Sequence, residues 1–270
     1  MKSRMPRLGL GTWHMGESAN DRAAEIAALR AGMDLGMTLI DTAEMYGEGG
    51  AEEVVGEAIR GRRDEVFLVT KFYPHHASRP ELLSACERSL QRLRTDVIDV
   101  YLLHWRGGVP LAETVATLES LVAAGKIARW GVSNFDVADL EELAALDAGA
   151  HVAANQVLYN PARRGIEYDL LPWCSSRGVD VMAYSPLDEG ALAGDRKLQS
   201  IGERIGLSAS QLAIAWTMRH EHVAAIPKAS RVEHVHANAK AAEIVLDVQT
   251  LRDIDRAFPP PSRKQRLAII

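Results

Sequence analysis

The chain has 270 residues, 47% of them hydrophobic and 25% charged, with a formal net charge of -5. That balance argues against a disordered chain and gives no reason to expect nucleic acid or an anionic membrane as partner; a small-molecule partner stays open. Cys86 and Cys174 stand far apart outside any C-x-x-C pattern, so neither a disulfide framework nor a structural zinc site is expected.

From the N-terminus, Lys2, Arg4 and Arg7 are basic, but Pro6 and Gly9 interrupt them and no apolar h-region follows. No signal peptide is therefore expected, nor is there an apolar run of about 18 residues for a membrane span, and the chain is placed in the cytoplasm. Short apolar, β-branched runs then recur at 7 to 12, 38 to 41, 66 to 72, 97 to 104, 127 to 133, 152 to 157, 179 to 185 and 223 to 228, which predicts eight strands. Between them the apolar residues take helical spacing, as at Leu82, Cys86, Leu90 and Leu93, or Val115, Leu118 and Val122. Ser78 with Glu81 and Ser208 with Gln211 fit capping boxes, Asp136 fits an N-cap, and Gly36 and Gly125 stand where helices would stop.

No linker or composition break interrupts this alternation, so residues 1–270 are expected to form a single domain. Eight β/α units predict an α/β fold, a (β/α)8 TIM barrel with an N-terminal strand segment and an extra C-terminal helix at Val248, Leu251 and Ile254. A longer loop falls at about 186 to 207. An open doubly wound sheet is the competing architecture.

In a parallel barrel the active site forms where strands end, and the reactive residues fall there. Asp41 closes the second run, Lys71 lies near the end of the third, His104 ends the fourth, and Tyr46 follows in the glycine-rich stretch "DTAEMYGEGG". Singly each has a plain structural explanation: a buried Lys71–Asp41 pair, a core histidine, a rim aromatic. Together, on neighbouring strand ends, they predict proton transfer. Lys71 would stabilise the phenolate and so lower the tyrosine pKa, Asp41 would keep Lys71 protonated, and a neutral His104 would hydrogen-bond a substrate carbonyl oxygen. None of these groups can supply a hydride, so a cofactor is needed.

"GLGTWHMG" carries Gly9 and Gly11, but His14 replaces the third glycine of G-x-G-x-x-G, and a Rossmann site is discounted. A phosphate site is expected instead after the last strand, at "IPKASRVEHV", where Lys228, Ser230 and Arg231 precede a helix. His220 with His222 and His234 with His236 lack the further ligands a metal needs, so no metal is expected and they are read as surface histidines.

The ordered set "LGLGTWHMGE", "DTAEMYGEGGAEEVVGEAI", "LVTKF", "LLHWRG", "GKIARWGVSNF", "NQVLYNP", "AYSPL" and "IPKAS", followed by Asn238, resembles the aldo-keto reductase family over nearly the whole chain. The likeness implies a barrel that reduces carbonyls with NADPH, with Asp41, Tyr46, Lys71 and His104 as the catalytic tetrad and Tyr46 as proton donor. It implies further that Ser133, Asn134 and Gln156 hold the nicotinamide carboxamide, that Tyr184 stacks on its ring, and that Ser185, Pro186 and Leu187 meet the pyrophosphate. Gly11, Thr12, Trp13, Asp41, Gly190, Ile226, Pro227, Lys228, Ala229, Ser230, Arg231, His234 and Asn238 complete the cofactor set. Ala229, His234 and Ala237 depart from frequent family residues at the adenosine end, so NADH is a possible alternative to NADPH.

Trp13, Tyr46, Tyr73, His104 and Trp105 are the expected substrate contacts, with His75 and His76 beside them. The residues after Pro259, Pro260 and Pro261 leave little for a lid, which predicts a shallow, tolerant site for small aldehydes, dicarbonyls such as methylglyoxal or sugar-like ketones, in a monomer. Two other classes stand against this reading. One is a Schiff-base aldolase or lyase using Lys71, which Asp41 opposes by raising the lysine pKa; the other is a non-catalytic nicotinamide-binding regulatory protein.

Overall fold

The computed structural model describes residues 4–270, so Lys2 of the basic segment lies outside the described residues. Eight strands form one parallel sheet in sequence order: β1 (Gly9–Gly11), β2 (Leu39–Asp41), β3 (Phe67–Phe72), β4 (Ile98–Leu103), β5 (Ile127–Ser133), β6 (Ala154–Leu158), β7 (Asp180–Tyr184) and β8 (Val223–Ala225). The sheet curls back on itself. Ala225 donates its N–H to Arg7 O at 2.8 Å and Gly11 to Pro227 O at 3.0 Å, bridging the two ends into a barrel.

Helices α1 (Arg22–Asp34), α2 (Gly50–Ala58), α3 (Arg79–Leu93), α4 (Leu111–Ala123), α5 (Val137–Ala144) and α6 (Leu170–Arg177) follow the first six strands in turn. After β7 come α7 (Arg196–Glu203) and α8 (Ala209–Thr217), and after β8 come α9 (Val232–Ala239) and the additional α10 (Val248–Ala257). Every residue of β3 and β4 is buried, as expected for strands covered on both faces.

Period-two alternation then decides what each strand sends inward. Met5, Leu39, Phe67, Val69, Val100, Leu102, Ala154, Met182 and Ala224 fill the barrel, while Leu68, Tyr101, Leu103 and Val157 pack outward with the helices. On five strands the inward position after the last of these fillers is polar: Asp41 after Leu39, Lys71 after Val69, His104 after Leu102, Gln156 after Ala154 and Tyr184 after Met182. An apolar plug thus sits beneath a polar mouth.

Local signals hold with two exceptions. Ser208 and Gln211 form a reciprocal capping box on α8, Asp136 does the same with Asp139 on α5, and Gly36 and Gly125 take left-handed φ values of 82° and 70°. Ser78 stands at the N-cap of α3 without a side-chain cap bond; the neighbouring Arg79 N–H is instead held by Glu113 Oε1 at 2.8 Å. The stretch at 186 to 207 contains α7, whose Asp195 caps the N–H groups of Lys197 and Leu198; only Leu198, Ile201 and Gly202 are buried, too short a stripe to announce a helix.

Candidate active site

Asp41 ends β2 and Lys71 lies near the end of β3, so parallel pairing brings them side by side at the mouth. Lys71 is fully buried and donates from Nζ to Asp41 Oδ2 at 2.9 Å, to Thr42 O at 2.8 Å and to Tyr46 Oη at 3.2 Å. Tyr46 is delivered by a turn in which Gly47, Glu48 and Gly49 are left-handed, with φ of 57°, 53° and 94°. That turn lies against the β1–α1 loop so closely that a Cβ on Gly16 would fall 2.1 Å from Gly50 C. His104 follows β4, its ring edge-on to Tyr46 at a centroid distance of 5.8 Å.

Gln156 belongs to the same network, a role that the sequence reading missed. Its Nε2 donates to Asp41 Oδ1 at 2.7 Å, so both carboxylate oxygens of Asp41 have donors. The signal available for it was register: Gln156 occupies the inward position two residues on from Ala154, in the middle of β6.

The electrostatics depart from expectation at one residue. Burial, the largest effect on Tyr46, outweighs the Lys71 charge, so the phenol lies above its ordinary range and not below it. The hydroxyl therefore stays protonated through neutrality, as a donor requires. Burial alone would pull Lys71 down, but the Asp41 charge and the hydrogen bonds to Asp41 and Tyr46 hold its ammonium above the usual value. At Asp41 burial pushes the carboxyl up, opposed by Lys71 and Gln156. Burial, then Lys71, depresses His104 to about 2, so the imidazole is neutral at any working pH.

A cavity of about 700 Å³ runs from Tyr46 and His104 to Lys228 and His234. Of the expected cofactor residues, Gly11, Thr12, Trp13, Asp41, Ser133, Asn134, Gln156, Tyr184, Ser185, Pro186, Leu187, Gly190, Ile226, Pro227, Lys228, His234 and Asn238 line it. Ala229, Ser230 and Arg231 are not on its wall; Arg231 Nη2 instead reaches His234 Nε2 at 3.0 Å. Asn134 is tied to protein on three sides, donating to His104 O and Ser133 Oγ and accepting from Tyr184 Oη at 3.0 Å. His14, Asn134, Ser185 and Glu189 on the cavity wall all have left-handed backbones, a clustering of unfavourable conformations common at binding sites.

On the substrate side, Trp13, Tyr46 and His104 line the cavity, whereas Tyr73 and Trp105 pack edge to face beyond it, at 6.1 Å between centroids. His14, Glu189, Ser208, Ser210 and Ile270 also line it without having been singled out. Ile270 corrects the expectation that the terminal residues leave the site open: the segment after Pro261 reaches the cavity beside Tyr184. His220 and His222 are half-buried rather than surface groups, and burial lowers His220 to about 4. Among the described residues no group of three His, Cys, Asp or Glu side chains is arranged to hold a metal ion.

Comparisons with known proteins agree with this geometry. The model of the aldo/keto reductase family matches residues 7–258. Methylglyoxal reductase YeaE of Escherichia coli (strain K12) is 51% identical over 98% of this chain and 95% of its own, and the glyoxal reductase of Bacillus subtilis (strain 168) is 34% identical over 93% and 88%. A crystal structure of an aldo/keto reductase from Klebsiella pneumoniae in complex with NADP and acetate matches with a TM-score of 0.97 at 54% identity, covering 98% of this chain and 96% of that one.

Proposed function

Because the chain belongs to the aldo/keto reductase family, we propose that it is an NADP(H)-dependent oxidoreductase reducing small aldehydes and ketones to alcohols, with dicarbonyls such as methylglyoxal as the leading substrate class. The relatives' substrates and bound cofactor support that choice, and the cavity fits it. Its volume of about 700 Å³ and a lining that includes Tyr184 and, three residues after β8, Lys228 suit a dinucleotide. When bound, the nicotinamide supplies the hydride that reduces the carbonyl carbon.

The protein's own groups handle the oxygen. His104 Nδ1 is buried without a partner, so a proton placed there would be an unsatisfied donor. The favoured tautomer carries its proton on Nε2, which makes that nitrogen a donor to the substrate oxygen. Tyr46 gives its hydroxyl proton to the same oxygen, and the Lys71 ammonium, held charged by Asp41, stabilises the phenolate left behind. Ser133, Asn134 and Gln156 are read as the carboxamide end of the cofactor site, and Lys228 with His234 as its phosphate end. NADPH is the expected cofactor, with NADH a weaker second.

The observation that carries this reading is Lys71 Nζ standing within hydrogen-bond reach of both Asp41 and Tyr46. The same observation opposes a Schiff-base lysine, because the amine is fully buried, has three acceptors and is held protonated. A regulatory protein without turnover would have no use for the assembled tetrad. Residues 1–270 are read as one domain acting as a cytoplasmic monomer, since every group of the site comes from a single barrel; no described helix is long and apolar enough to cross a membrane. In Tyr46→Phe, turnover of an aldehyde panel should fall by at least about 10² to 10⁴ while NADPH still quenches protein fluorescence. Undiminished reduction by that variant refutes the donor assignment.

A further inference from the structure

We propose that Glu52, Arg92 and Thr70 are positioning residues that set the Lys71–Tyr46 distance from behind the barrel wall. The proposal rests on the reading of Tyr46 as proton donor. Glu52 is the third residue of α2 and its side chain is fully buried. It accepts from Thr70 Oγ1 at 2.6 Å and from the Arg92 guanidinium, through Nε and Nη2, at 2.6 Å.

Those two partners lead to the two halves of the proton-transfer pair. Thr70 is the β3 residue immediately before Lys71, so alternation turns its hydroxyl away from the site while Lys71 faces it. Fixing Thr70 therefore fixes the strand segment that aims the ammonium. Arg92 lies beneath the tyrosine turn: a Cβ on Gly49 would fall 2.6 Å from Arg92 Cδ and Nε. On the opposite side the turn meets backbone, with Gly47 facing Met15 O at 3.0 Å and Gly50 facing Gly16 O at 2.4 Å from their would-be Cβ atoms.

With glycines at 47, 49 and 50, the turn's remaining side chain is that of Glu48, which is exposed. The turn's position is imposed by the backbone on one face and the guanidinium on the other. Burial raises the Glu52 carboxyl, opposed by Arg92 and Thr70, so a charge has been placed where an aliphatic pair would have packed at less cost. What an aliphatic pair lacks is direction. A carboxylate bridging a hydroxyl and a guanidinium ties strand to turn at hydrogen-bond precision.

The test uses Thr70→Val, Arg92→Lys and the charge-free double variant Glu52→Gln with Arg92→Met, measured on a small aldehyde with NADPH. The expected result is a kcat lowered roughly ten- to a hundredfold with KM and the NADPH Kd within about twofold. The solvent deuterium isotope effect on kcat should rise, and the basic limb of its pH profile should move. Arg92→Lys, keeping the charge but losing the fork, should retain more activity than the double variant. Thr70→Val is uncharged and nearly isosteric, so it decides the matter even where the double variant does not fold. Unchanged kcat, isotope effect and pH profile in Thr70→Val and Arg92→Lys overturn the proposal, whatever the loss in Tm, and so does a parallel loss of NADPH affinity. Tyr46→Phe separates the two readings, because it inactivates the enzyme by the donor assignment regardless of how the turn is held.

Discussion

His104 makes the protein's stability pH-dependent in a calculable way. In the unfolded chain the imidazole takes a proton near its ordinary pKa of about 6.5, whereas in the fold burial and Lys71 hold it down to about 2. The unfolded state therefore binds more protons between these values, and stability is present above about 6.5 and lost as pH falls below it. The slope approaches about 1.4 kcal/mol per pH unit, so the contribution lost between pH 7 and pH 5 comes to about 2 kcal/mol. His104 is only 7% exposed, so little of this is screened. Urea unfolding of the wild type and His104→Gln at both pH values isolates it, because other titrating groups contribute to both proteins. The wild type should lose about 2 kcal/mol more than the variant on acidification. Parallel losses would show that the imidazole is not held neutral by the fold.

Two further outcomes follow from the packing. Lys71→Met leaves the Asp41 carboxylate buried without its ion partner and should cost about 3–5 kcal/mol in urea unfolding, whereas adding Asp41→Asn should recover part of that loss; a double variant that loses the sum of both single effects contradicts the pairing. Gly16→Ala and Gly36→Ala both place alanine at a left-handed position, but only the first meets backbone, 2.1 Å from Gly50 C, while the second meets nothing within 4 Å. Gly36→Ala should cost about 1–2 kcal/mol, and Gly16→Ala about 1–3 kcal/mol beyond that. Equal losses would mean that the β1–α1 loop yields freely.

Much of the site was legible because parallel strands announce their ends. Asp41 and His104 each close an apolar run and Lys71 lies next to the end of one, so position at strand C-termini placed them at one mouth. Tyr46 was legible through the glycines after it. Quantities that depend on burial were not: the direction of the Tyr46 shift turns on desolvation outweighing one ammonium, and residue spacing carries no measure of either. Cross-barrel partners were equally hidden. Gln156 reaches Asp41 only because the sheet closes, and its polar side chain by itself was equally suited to a cofactor contact. Helix α7 escaped notice for want of a longer apolar stripe, and Ile270 because a segment without helix or strand gives no sign of where its end will lie.

The bond from Gln156 to Asp41 spans 115 positions of sequence. All four residues proposed for proton transfer lie on the first four β/α units, which a half-length fragment would contain in full, yet the second oxygen of Asp41 is satisfied only by a strand from the other half. Loop-closure entropy makes so distant a contact among the last to form. The first half can thus present every reactive group while the carboxylate that anchors them still lacks its second donor. Catalytic competence in this chain should therefore be a late event in folding, and recovery of turnover after denaturation should report closure of the barrel rather than the appearance of its secondary structure.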